Sequence, residues 1–303
     1  HAVNLLPKLI LPEDNIVEKL FLNGSAMRQL TEILQQDKKI WLGKIKNIEL
    51  ENSAVDILFK LRLPEDNVLE MLEVYACNKR CFTELSRQPN ASIWLGRIKS
   101  IKLVYYAVVA ITKLLVPEDN VVERLEVSAD EQEHCPEILQ QPDESIWLGR
   151  IKNIDLKNQA ARYIFKIARN NEIEGRELRL DGETHQEILA WVCGAKRLAL
   201  NLDSLSLLPD MLLSGSEIEK INIRSIYGGD MLEKKQDDTF KIGMLQKLSL
   251  WADSIWLLPK IQVEEGQQIE HLEIKSIDET DMETIYRKED KSRWDWKFKN
   301  KTI

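Results

Sequence analysis

The residue types best suited to catalysis or metal binding in this chain are its four cysteines and four histidines. Cys77 and Cys81 lie close together in CNKRC, but no second pair follows at the spacing of a zinc site. His134 precedes Cys135, which are the side chains of a thiol nucleophile and its base, yet nothing nearby completes a triad. Neither an H-E-x-x-H pattern nor a phosphate-binding loop occurs. We therefore expect no enzyme activity, no metal and no cofactor.

Composition narrows the choice of partner and compartment. The net charge of −8 and the pI near 5.3 argue against nucleic acid as a partner, because binding to phosphates needs a basic surface. No apolar run approaches the ~20 residues of a membrane-spanning helix, so no membrane partner is expected. The scattered cysteines and the lack of a signal peptide favour a cytoplasmic protein. The chain starts at His1 without methionine, and we expect a fragment of a longer protein.

Two sequence elements recur every 52 or 53 residues. The first is IWLGKIKNIEL at 40–50, which returns as IWLGRIKSIKL at 93–103 and IWLGRIKNIDL at 146–156. The second is LPEDNIVEKL at 11–20, which returns as LPEDNVLEML at 63–72 and VPEDNVVERL at 116–125. Such a period is typical of a solenoid built from stacked repeats.

Each period contains two copies of a shorter pattern, apolar-x-x-apolar-x-apolar, which predicts a short strand followed by a helical stretch. Helices are predicted in AMRQLTEILQQ, SAVDILFKL, AVVAITKLL, ARYIFKIA and HQEILAWV. Such a repeat buries its apolar face only by stacking on its neighbours. Eleven repeats can be followed, with middle apolar residues Leu20, Ile48, Leu72, Ile101, Leu125, Ile154, Leu178, Leu198, Ile221, Leu248 and Leu272. Trp294 and Trp296 suggest a degenerate twelfth.

This pattern and its spacing resemble the leucine-rich repeat, in the ribonuclease-inhibitor-like intracellular class. The resemblance implies an α/β solenoid of about 11–12 repeats, a horseshoe with a parallel β-sheet on the concave face and helices on the convex face. It implies one domain over 1–303, with regular repeats in 1–170, degenerate repeats in 171–285 and a C-terminal cap in 286–303. The family's Asn or Cys after the strand appears only as Cys77, so we expect a packed thiol there and a largely missing asparagine ladder.

Charge alternates at the second position of the apolar triplet in the first six repeats. The position holds Glu18, Lys46, Glu70, Lys99, Glu123 and Lys152 in order. If the strands lie in register, each lysine falls between glutamates on adjacent strands, where opposite charges favour pairing. We interpret the alternation as a device that selects the register, in preference to a charged binding strip. We call the two types glutamate repeats and lysine repeats.

Residues that lie between the buried apolar positions of a strand point to the opposite face of the sheet, where a partner would bind. Phe21, Met71 and Tyr75 are unusual there because they are apolar or aromatic, and Trp251 lies on the same face. In contrast, we expect Trp41, Trp94 and Trp147 to form a hydrophobic spine, although a stacked ligand platform is the alternative. The predicted partner-binding cations are Lys102, Arg124, Arg179, Arg197, Lys220, Arg224 and Lys247. The last five form a basic run in an acidic chain and predict an acidic protein or peptide ligand.

The resemblance extends to function. Intracellular leucine-rich repeats with convex helices imply a protein-recognition scaffold, and within that class the sensor or autoinhibitory region of a cytosolic NOD-like innate immune receptor. Upstream domains would then support self-assembly. The alternative is an adaptor, an inhibitor or a microbial effector, such as the substrate receptor of a ubiquitin ligase.

Overall fold

The computed structural model describes the strands of the sheet and most of the first half of the chain. The described residues are 6, 8–9, 11–12, 14–24, 31–130, 136–167, 177–181, 196–201, 218–224, 240–242, 245–251, 254, 261–263, 269–275 and 298–302. The chain divides into two compact units, His1–Glu174 and Gly175–Ile303, which we call the first and second unit. The single domain predicted over 1–303 stays a prediction.

The first unit contains longer strands of six to nine residues and short strands of two residues. The strands are β1 (Ile16–Gly24), β2 (Ile40–Trp41), β3 (Lys44–Asn52), β4 (Leu61–Arg62), β5 (Val68–Leu69), β6 (Met71–Ala76), β7 (Ile93–Trp94), β8 (Arg97–Ile98), β9 (Ser100–Tyr105), β10 (Leu114–Leu115), β11 (Val121–Val122), β12 (Arg124–Ala129), β13 (Arg150–Ile151) and β14 (Asn153–Asn158). In its described part, six of them form a parallel sheet in the order β1-β3-β6-β9-β12-β14. Two-stranded ladders join β2 to β4, β5 to β8, β7 to β10 and β11 to β13.

The register of this sheet follows the apolar triplets. The middle apolar residues pair in sequence, from Leu20 with Ile48 through Leu72, Ile101 and Leu125 to Ile154. All six side chains are buried, and the most exposed of them, Leu20, is 7% exposed. A slip by one residue would turn this whole apolar set to solvent, so the pattern itself determines the register. The predicted strands of the first six repeats are therefore confirmed as a parallel sheet compatible with a repeat fold.

The second unit contributes shorter described strands with the same parallel pairing. They are β15 (Glu177–Asp181), β16 (Arg197–Asn201), β17 (Lys220–Arg224), β18 (Phe240–Ile242), β19 (Lys247–Trp251), β20 (Ile261–Val263), β21 (Ile269–Lys275) and β22 (Phe298–Thr302). The sheet order is β15-β16-β17-β19-β21-β22, and β18 pairs with β20. Leu198, Ile221, Leu248 and Leu272 align in register and are fully buried. Trp294, Trp296 and the predicted helix at 185–192 lie outside the described residues.

The predicted helices are mostly 3₁₀ turns and not α-helices. Three segments after the strands of lysine repeats are 3₁₀, namely Ser53–Lys60, Tyr106–Thr112 and Gln159–Lys166. The α-helices of the described part are short: α1 (Thr31–Gln35), α2 (Thr83–Ser86) and α3 (Pro136–Leu139). Ala54, Val55, Ile57 and Leu58 are all fully buried in the first 3₁₀ segment. The β-branched residues in these segments would lose side-chain entropy in an α-helix. This loss reduces the free-energy difference between the α-helix and the tighter 3₁₀ helix.

The two recurring sequence elements contact each other through a buried asparagine. Asn67, from the second LPEDN, accepts a hydrogen bond from the Ile45 backbone N–H at 2.9 Å and donates to the Leu95 carbonyl at 3.0 Å. Asn120 makes the same bridge, from the Ile98 N–H to the Leu148 carbonyl. The family position after the strand lacks its asparagine as expected, but this second position holds a ladder that the sequence analysis missed.

The glycine of each IWLG turn is required by the same contact. Gly96 has φ +81°, and a Cβ there would lie 2.2 Å from the Asn67 carbonyl oxygen. Gly43 and Gly149 are placed in the same way against Asn15 and Asn120. Both a positive φ and a close backbone approach exclude other residues. The recurring sequence IWLG therefore belongs to the scaffold that joins adjacent repeats.

The packed thiol predicted at Cys77 is wrong, because Cys77 is exposed and Cys81 is the buried cysteine. The Cys77 Sγ lies 3.0 Å from the Asn52 Oδ1 at the end of the neighbouring strand. Burial raises the pKa of the Cys81 thiol, which lies in the 3₁₀ turn Lys79–Phe82. The spine of tryptophans is only half-buried: Trp41 and Trp94 are partly covered, and 36% of Trp147 is exposed.

The charge ladder forms, with each lysine paired to one glutamate. Lys46 bonds to Glu18 at 2.8 Å, and Lys99 contacts both oxygens of Glu70 at 2.8 and 2.9 Å. Lys152 and Glu123 are at 4.0 Å. The hydrogen bond that Lys99 donates to Glu70 raises the pKa of Lys99, and the charge of Glu123 on the other side adds to the effect. The predicted position between two glutamates is thus confirmed for Lys99, and the direct contact of each of the three lysines is with the glutamate of the preceding repeat.

We expect Lys99→Glu to lower the melting temperature at low salt, because it places a third carboxylate beside Glu70 and Glu123. The loss should shrink as salt is raised, since exposed charges are screened. Lys99→Gln is the matched control: it removes the attraction without adding repulsion and should melt between the two. Thermal unfolding followed by circular dichroism at ~10 mM and ~500 mM salt tests this. These concentrations lie below and above ~0.1 M, where charges are screened over ~10 Å. Equal melting of all three proteins at low salt would contradict the role in register.

Candidate protein-binding surface

The outward face of each sheet is organised in three rows, each made of residues that pair across adjacent strands. In the first unit, the middle row runs through Phe21, Glu49, Glu73, Lys102, Glu126 and Asp155. The third row runs through Asn23, Glu51, Tyr75, Val104, Ser128 and Lys157. Met71 pairs with Asn47, and Arg124 with Ser100, in the first row. All five predicted site residues of this unit therefore lie on strands of one sheet.

The cations on this face are neutralised by acids on the same face. Lys102 bonds to Glu73 at 2.5 Å, and this hydrogen bond raises the pKa of Lys102. Arg124 lies 3.2 Å from both Glu126 and Asp155. Because each positive charge already has a carboxylate partner, neither Lys102 nor Arg124 offers an unpaired charge to an acidic ligand. The structure places both residues on the predicted face, each in an ion pair with an acid of that face.

The apolar residues predicted for binding do not share one row. Half of Phe21 is exposed, at 51%, and the Lys19 ammonium lies 5.7 Å from its ring centre. Tyr75 packs edge-on against Tyr105, with ring centres 5.3 Å apart. Tyr75 pairs with Glu51 and Val104, so the rows separate it from Phe21. The structure thus gives an exposed phenylalanine and a separate tyrosine pair.

Tyr105 is a surface residue that the sequence analysis missed. Its φ is +58°, a conformation that bulky side chains adopt rarely. The equivalent strand ends hold Asn52 at φ +55° and Asn158 at φ +57°. A strained aromatic residue where asparagine stands elsewhere in the repeat is a detectable signal, because strain of this kind gathers at functional positions. Burial raises the pKa of Tyr75, and the charge of Asp130 raises that of Tyr105.

In the second unit, three cations stand side by side in the first row, on β16, β17 and β19, between Glu177 at the matching position of β15 and His271 on β21. Arg197 pairs with Lys220, Lys220 pairs with Lys247, and Lys247 pairs with His271. Adjacent strands lie ~4.8 Å apart, so these groups are close neighbours. Neither Arg197 nor Lys220 forms an ion pair with another described residue. This first row therefore differs from the face of the first unit, where acids alternate with bases.

Among the described side chains of this face, the acid beside the row is Glu273. Glu273 is 3.0 Å from Lys247 and 3.2 Å from Lys275, and accepts a hydrogen bond from the Ser249 hydroxyl at 3.0 Å. The hydrogen bond from Lys247 leads in lowering the pKa of Glu273 to about 2. Glu273 is thus ionised at any neutral pH and holds the two lysines in place. Its single charge does not balance the cations around it.

The middle row of this face has short side chains on β16, β17 and β19, between Arg179 on β15 and Glu273 on β21, and the third row carries the aromatic residue. Ala199, Asn222 and Ser249 pair with each other in the middle row, where Ala199 and Ser249 are buried. Arg224, Trp251 and Lys275 pair in the third row, and the Lys275 ammonium lies 4.4 Å above the Trp251 ring. Small residues flanked by taller cations and a tryptophan give a surface that a chain segment can follow.

Two predicted site residues are placed only by their strands. Arg179 lies on β15, paired with Ala199, and Arg224 ends β17, paired with Asn201 and Trp251. Their side chains lie outside the described part of the chain. The side chains of Arg197, Lys220, Lys247 and Trp251 therefore lie on one face of the sheet. Arg179 and Arg224 are assigned to the same face from the register of their strands.

Among the described residues, no three His, Cys, Asp or Glu side chains gather in a metal-ligating group. The helices in the same part of the chain are too short to cross a membrane. Comparison of the chain with protein-family models, with curated proteins and with solved structures finds no match. The surface must therefore be interpreted from its own chemistry.

Proposed function

We propose that the chain is a leucine-rich-repeat recognition scaffold that binds an acidic protein segment on the outward face of the second unit. The observation that carries this proposal is the register of Arg197, Lys220 and Lys247 across three adjacent strands. Like charges directly opposite each other destabilise a sheet. A ligand that supplies carboxylates to this row offsets that repulsion, and charge complementarity speeds its capture.

The neighbouring rows favour a peptide chain over other anions. Trp251 lies in the row beyond the short side chains of Ala199 and Ser249, on the same face as the cations, and interfaces use tryptophan and arginine as anchors. A nucleic acid is less suitable, because the net charge of −8 repels a polyanion at long range. An acidic segment carrying an aromatic or aliphatic residue satisfies both rows.

We further propose, on the sequence resemblance alone, that the scaffold is the sensing or autoinhibitory region of a cytosolic NOD-like immune receptor. The alternative is an adaptor, inhibitor or effector with the same repeats. The residues encoded upstream of residue 1 distinguish these proposals. A nucleotide-binding loop there supports the receptor, and an F-box-like helical segment supports the ligase adaptor.

The acidic-ligand proposal is tested with a fluorescent peptide of alternating glutamate and tryptophan, titrated with the full chain and followed by anisotropy. We expect saturable binding that weakens as salt rises, since the contact is electrostatic. The double variant Arg197→Glu/Lys220→Glu should bind at least ~10-fold more weakly, because each removed charge-assisted contact contributes about 1.5–3 kcal/mol.

The matched control is Lys79→Glu/Arg87→Glu in the first unit. It changes the same residue types and the same total charge at side chains that are 61% and 67% exposed and lie away from either sheet face. We expect it to keep at least half of the affinity. Equal weakening of both double variants would show a general charge effect and sink the assignment of the site, as would a peptide that never saturates.

A further inference from the structure

The three cations of the first row in the second unit set a repeat distance for the ligand that binds them. Arg197, Lys220 and Lys247 follow one another on the adjacent parallel strands β16, β17 and β19. Neighbouring strands lie ~4.8 Å apart, so the row covers ~9.6 Å from its first cation to its third. A ligand that pairs one carboxylate with each cation must therefore present three carboxylates on one side at about this spacing.

An α-helix meets this requirement better than an extended chain. A helix presents the side chains at i, i+4 and i+7 on one side, and they span ~10.5 Å along the axis at ~1.5 Å per residue. An extended chain presents the side chains at i, i+2 and i+4 on one side, and they span ~13 Å. The helical spacing therefore lies within ~1 Å of the cation row, whereas the extended spacing exceeds it by more than ~3 Å.

The width of the face favours the same ligand. The first and third rows lie four residues apart along a strand, as Lys247 and Trp251 do on β19, which separates them by ~13 Å. Between these rows, Ala199 and Ser249 are only 6% and 1% exposed, and Asn222 is partly exposed. The middle row is therefore the floor of a shallow trough that runs across the three strands. A helix with its side chains is ~10–12 Å wide and fits between the two rows.

Acidic residues limit how far the ligand's own acids can extend. Glu273 holds the middle row on β21, where it lies 3.0 Å from Lys247 and 3.2 Å from Lys275. The hydrogen bond from Lys247 leads in lowering the pKa of Glu273 to about 2, so its carboxylate is ionised and repels a further ligand acid beyond Lys247. At the other end, Glu177 holds the position on β15 that matches Arg197. The face thus suits three acids spread over about two helical turns.

We propose that the ligand of this face is an acidic amphipathic α-helix that lies across the strands, with carboxylates at i, i+4 and i+7. These carboxylates pair with Arg197, Lys220 and Lys247, and an apolar side chain on the next stripe of the helix packs over the middle row beside Trp251. Helices that bind in grooves are recognised through anchors at these spacings. The proposal rests on the acidic-ligand site proposed for the same face, and it names the secondary structure of the ligand.

The test compares two fluorescent alanine-based peptides of identical composition, each with three glutamates and one leucine, titrated with the full chain and followed by anisotropy. The helical peptide carries glutamate at i, i+4 and i+7, and the alternating peptide carries it at i, i+2 and i+4. We expect the helical peptide to bind at least ~10-fold more tightly, because the alternating pattern leaves one cation without its charge-assisted hydrogen bond.

A proline placed after the central glutamate of the helical peptide provides a second comparison. Proline interrupts a helix but leaves the three carboxylates in place, so it should also weaken binding at least ~10-fold. Far-UV circular dichroism should show that the helical peptide gains helix on binding and that the proline peptide does not.

Charge exchange tests the register of the helix. Lys220→Glu in the chain should weaken binding of the helical peptide at least ~10-fold, and a peptide with lysine in place of its central glutamate should recover the loss, because an opposite pair is rebuilt. Lys220 is the middle cation, so this result does not depend on the direction of the helix. The matched control is the peptide with lysine in place of its first glutamate, which should not recover affinity. Recovery with the central exchange also shows that the variant chain is folded.

The outcomes separate the helix from the acidic-ligand site. If the helical, alternating and proline peptides bind equally and all weaken with Arg197→Glu/Lys220→Glu, the site stands and the helix is wrong. Equal recovery by the first and central lysine peptides would also overturn the helix, because attraction would then not depend on position. If none of the peptides saturates, the acidic-ligand site is wrong and the helix is wrong with it.

Discussion

Asn67→Ala is expected to lower the free energy of unfolding by about 2–6 kcal/mol, because it leaves two buried backbone groups without partners and each costs about 1–3 kcal/mol. Those groups are the Ile45 N–H and the Leu95 carbonyl, which the Asn67 amide now bridges. Asn67 itself is 1% exposed, so water cannot replace the lost bonds without opening the packing between repeats. Denaturant unfolding, followed by tryptophan fluorescence, measures the change.

Asn15→Ala is the matched control for this prediction. Asn15 occupies the same position of the repeat, but it is partly exposed, and among the described residues its side chain bonds only to the Leu42 carbonyl. Only one backbone group, the Leu42 carbonyl, loses its partner, so the loss should be about 1–3 kcal/mol, half of that expected at Asn67. Equal losses at Asn15 and Asn67 would contradict the idea that the completed bridge, and not the asparagine alone, stabilises the stack.

The second large effect is expected from Asp56→Asn, which should change how the free energy of unfolding depends on pH. Asp56 is 1% exposed within the first 3₁₀ segment and accepts the Leu85 N–H of α2 at 2.7 Å through Oδ1, while its Oδ2 has no partner in the described part of the chain. Burial raises the pKa of Asp56 to about 6, against the opposing hydrogen bonds from Leu85 and Glu84. The carboxyl therefore prefers its neutral form in the folded protein.

The sign of the pH effect follows from that shift. The folded pKa lies above the unfolded value of 3.8, so the stabilisation is fully present below pH 3.8 and is lost as pH rises through about 6. A shift of about 2 pKa units corresponds to about 3 kcal/mol. Asp56→Asn keeps an oxygen for the Leu85 N–H and carries no charge. Between about pH 4 and about pH 7, which bracket the titration, the free energy of unfolding of Asp56→Asn relative to the original chain should rise by about 3 kcal/mol.

Denaturant unfolding of both proteins across this pH range measures the difference. Glu118→Gln removes one charge from an exposed side chain and serves as the control. Its difference from the original chain should not follow the same curve. A difference between Asp56→Asn and the original chain that stays constant with pH would show that Asp56 does not titrate in this range.

Asp56 also illustrates what sequence patterns miss. In SAVDILFK the aspartate interrupts an apolar run, and on sequence alone it belongs on a solvated helix face. The equivalent position of the next lysine repeat holds Val109, which is 2% exposed. The comparison of repeats therefore contained a signal of burial. Only the structure places the Leu85 N–H opposite the carboxylate, because that donor lies on α2 in the following repeat.

The predicted binding cations divide for a similar reason. Lys102 and Arg197 both precede or lie between apolar strand residues, so the sequence assigns them equally to the outward face. Their surroundings depend on the residues of neighbouring strands, which are more than 20 positions away in the chain. Lys102 meets Glu73, whereas Arg197 meets Lys220. Pairing across the sheet decides which charge is left for a ligand.

The sequence by itself determined the strands, their parallel order and their register. A strand with one buried face allows only one alignment of its apolar residues, and the Glu–Lys alternation adds the same preference. The tertiary structure alone decided how repeats are joined and which polar groups stay unsatisfied. The Asn67 bridge, the buried Asp56 and the contact of the exposed Cys77 with Asn52 all depend on atoms from another repeat. Hydrogen bonds and desolvation act at about 3 Å, and periodicity along the chain does not specify distances on that scale.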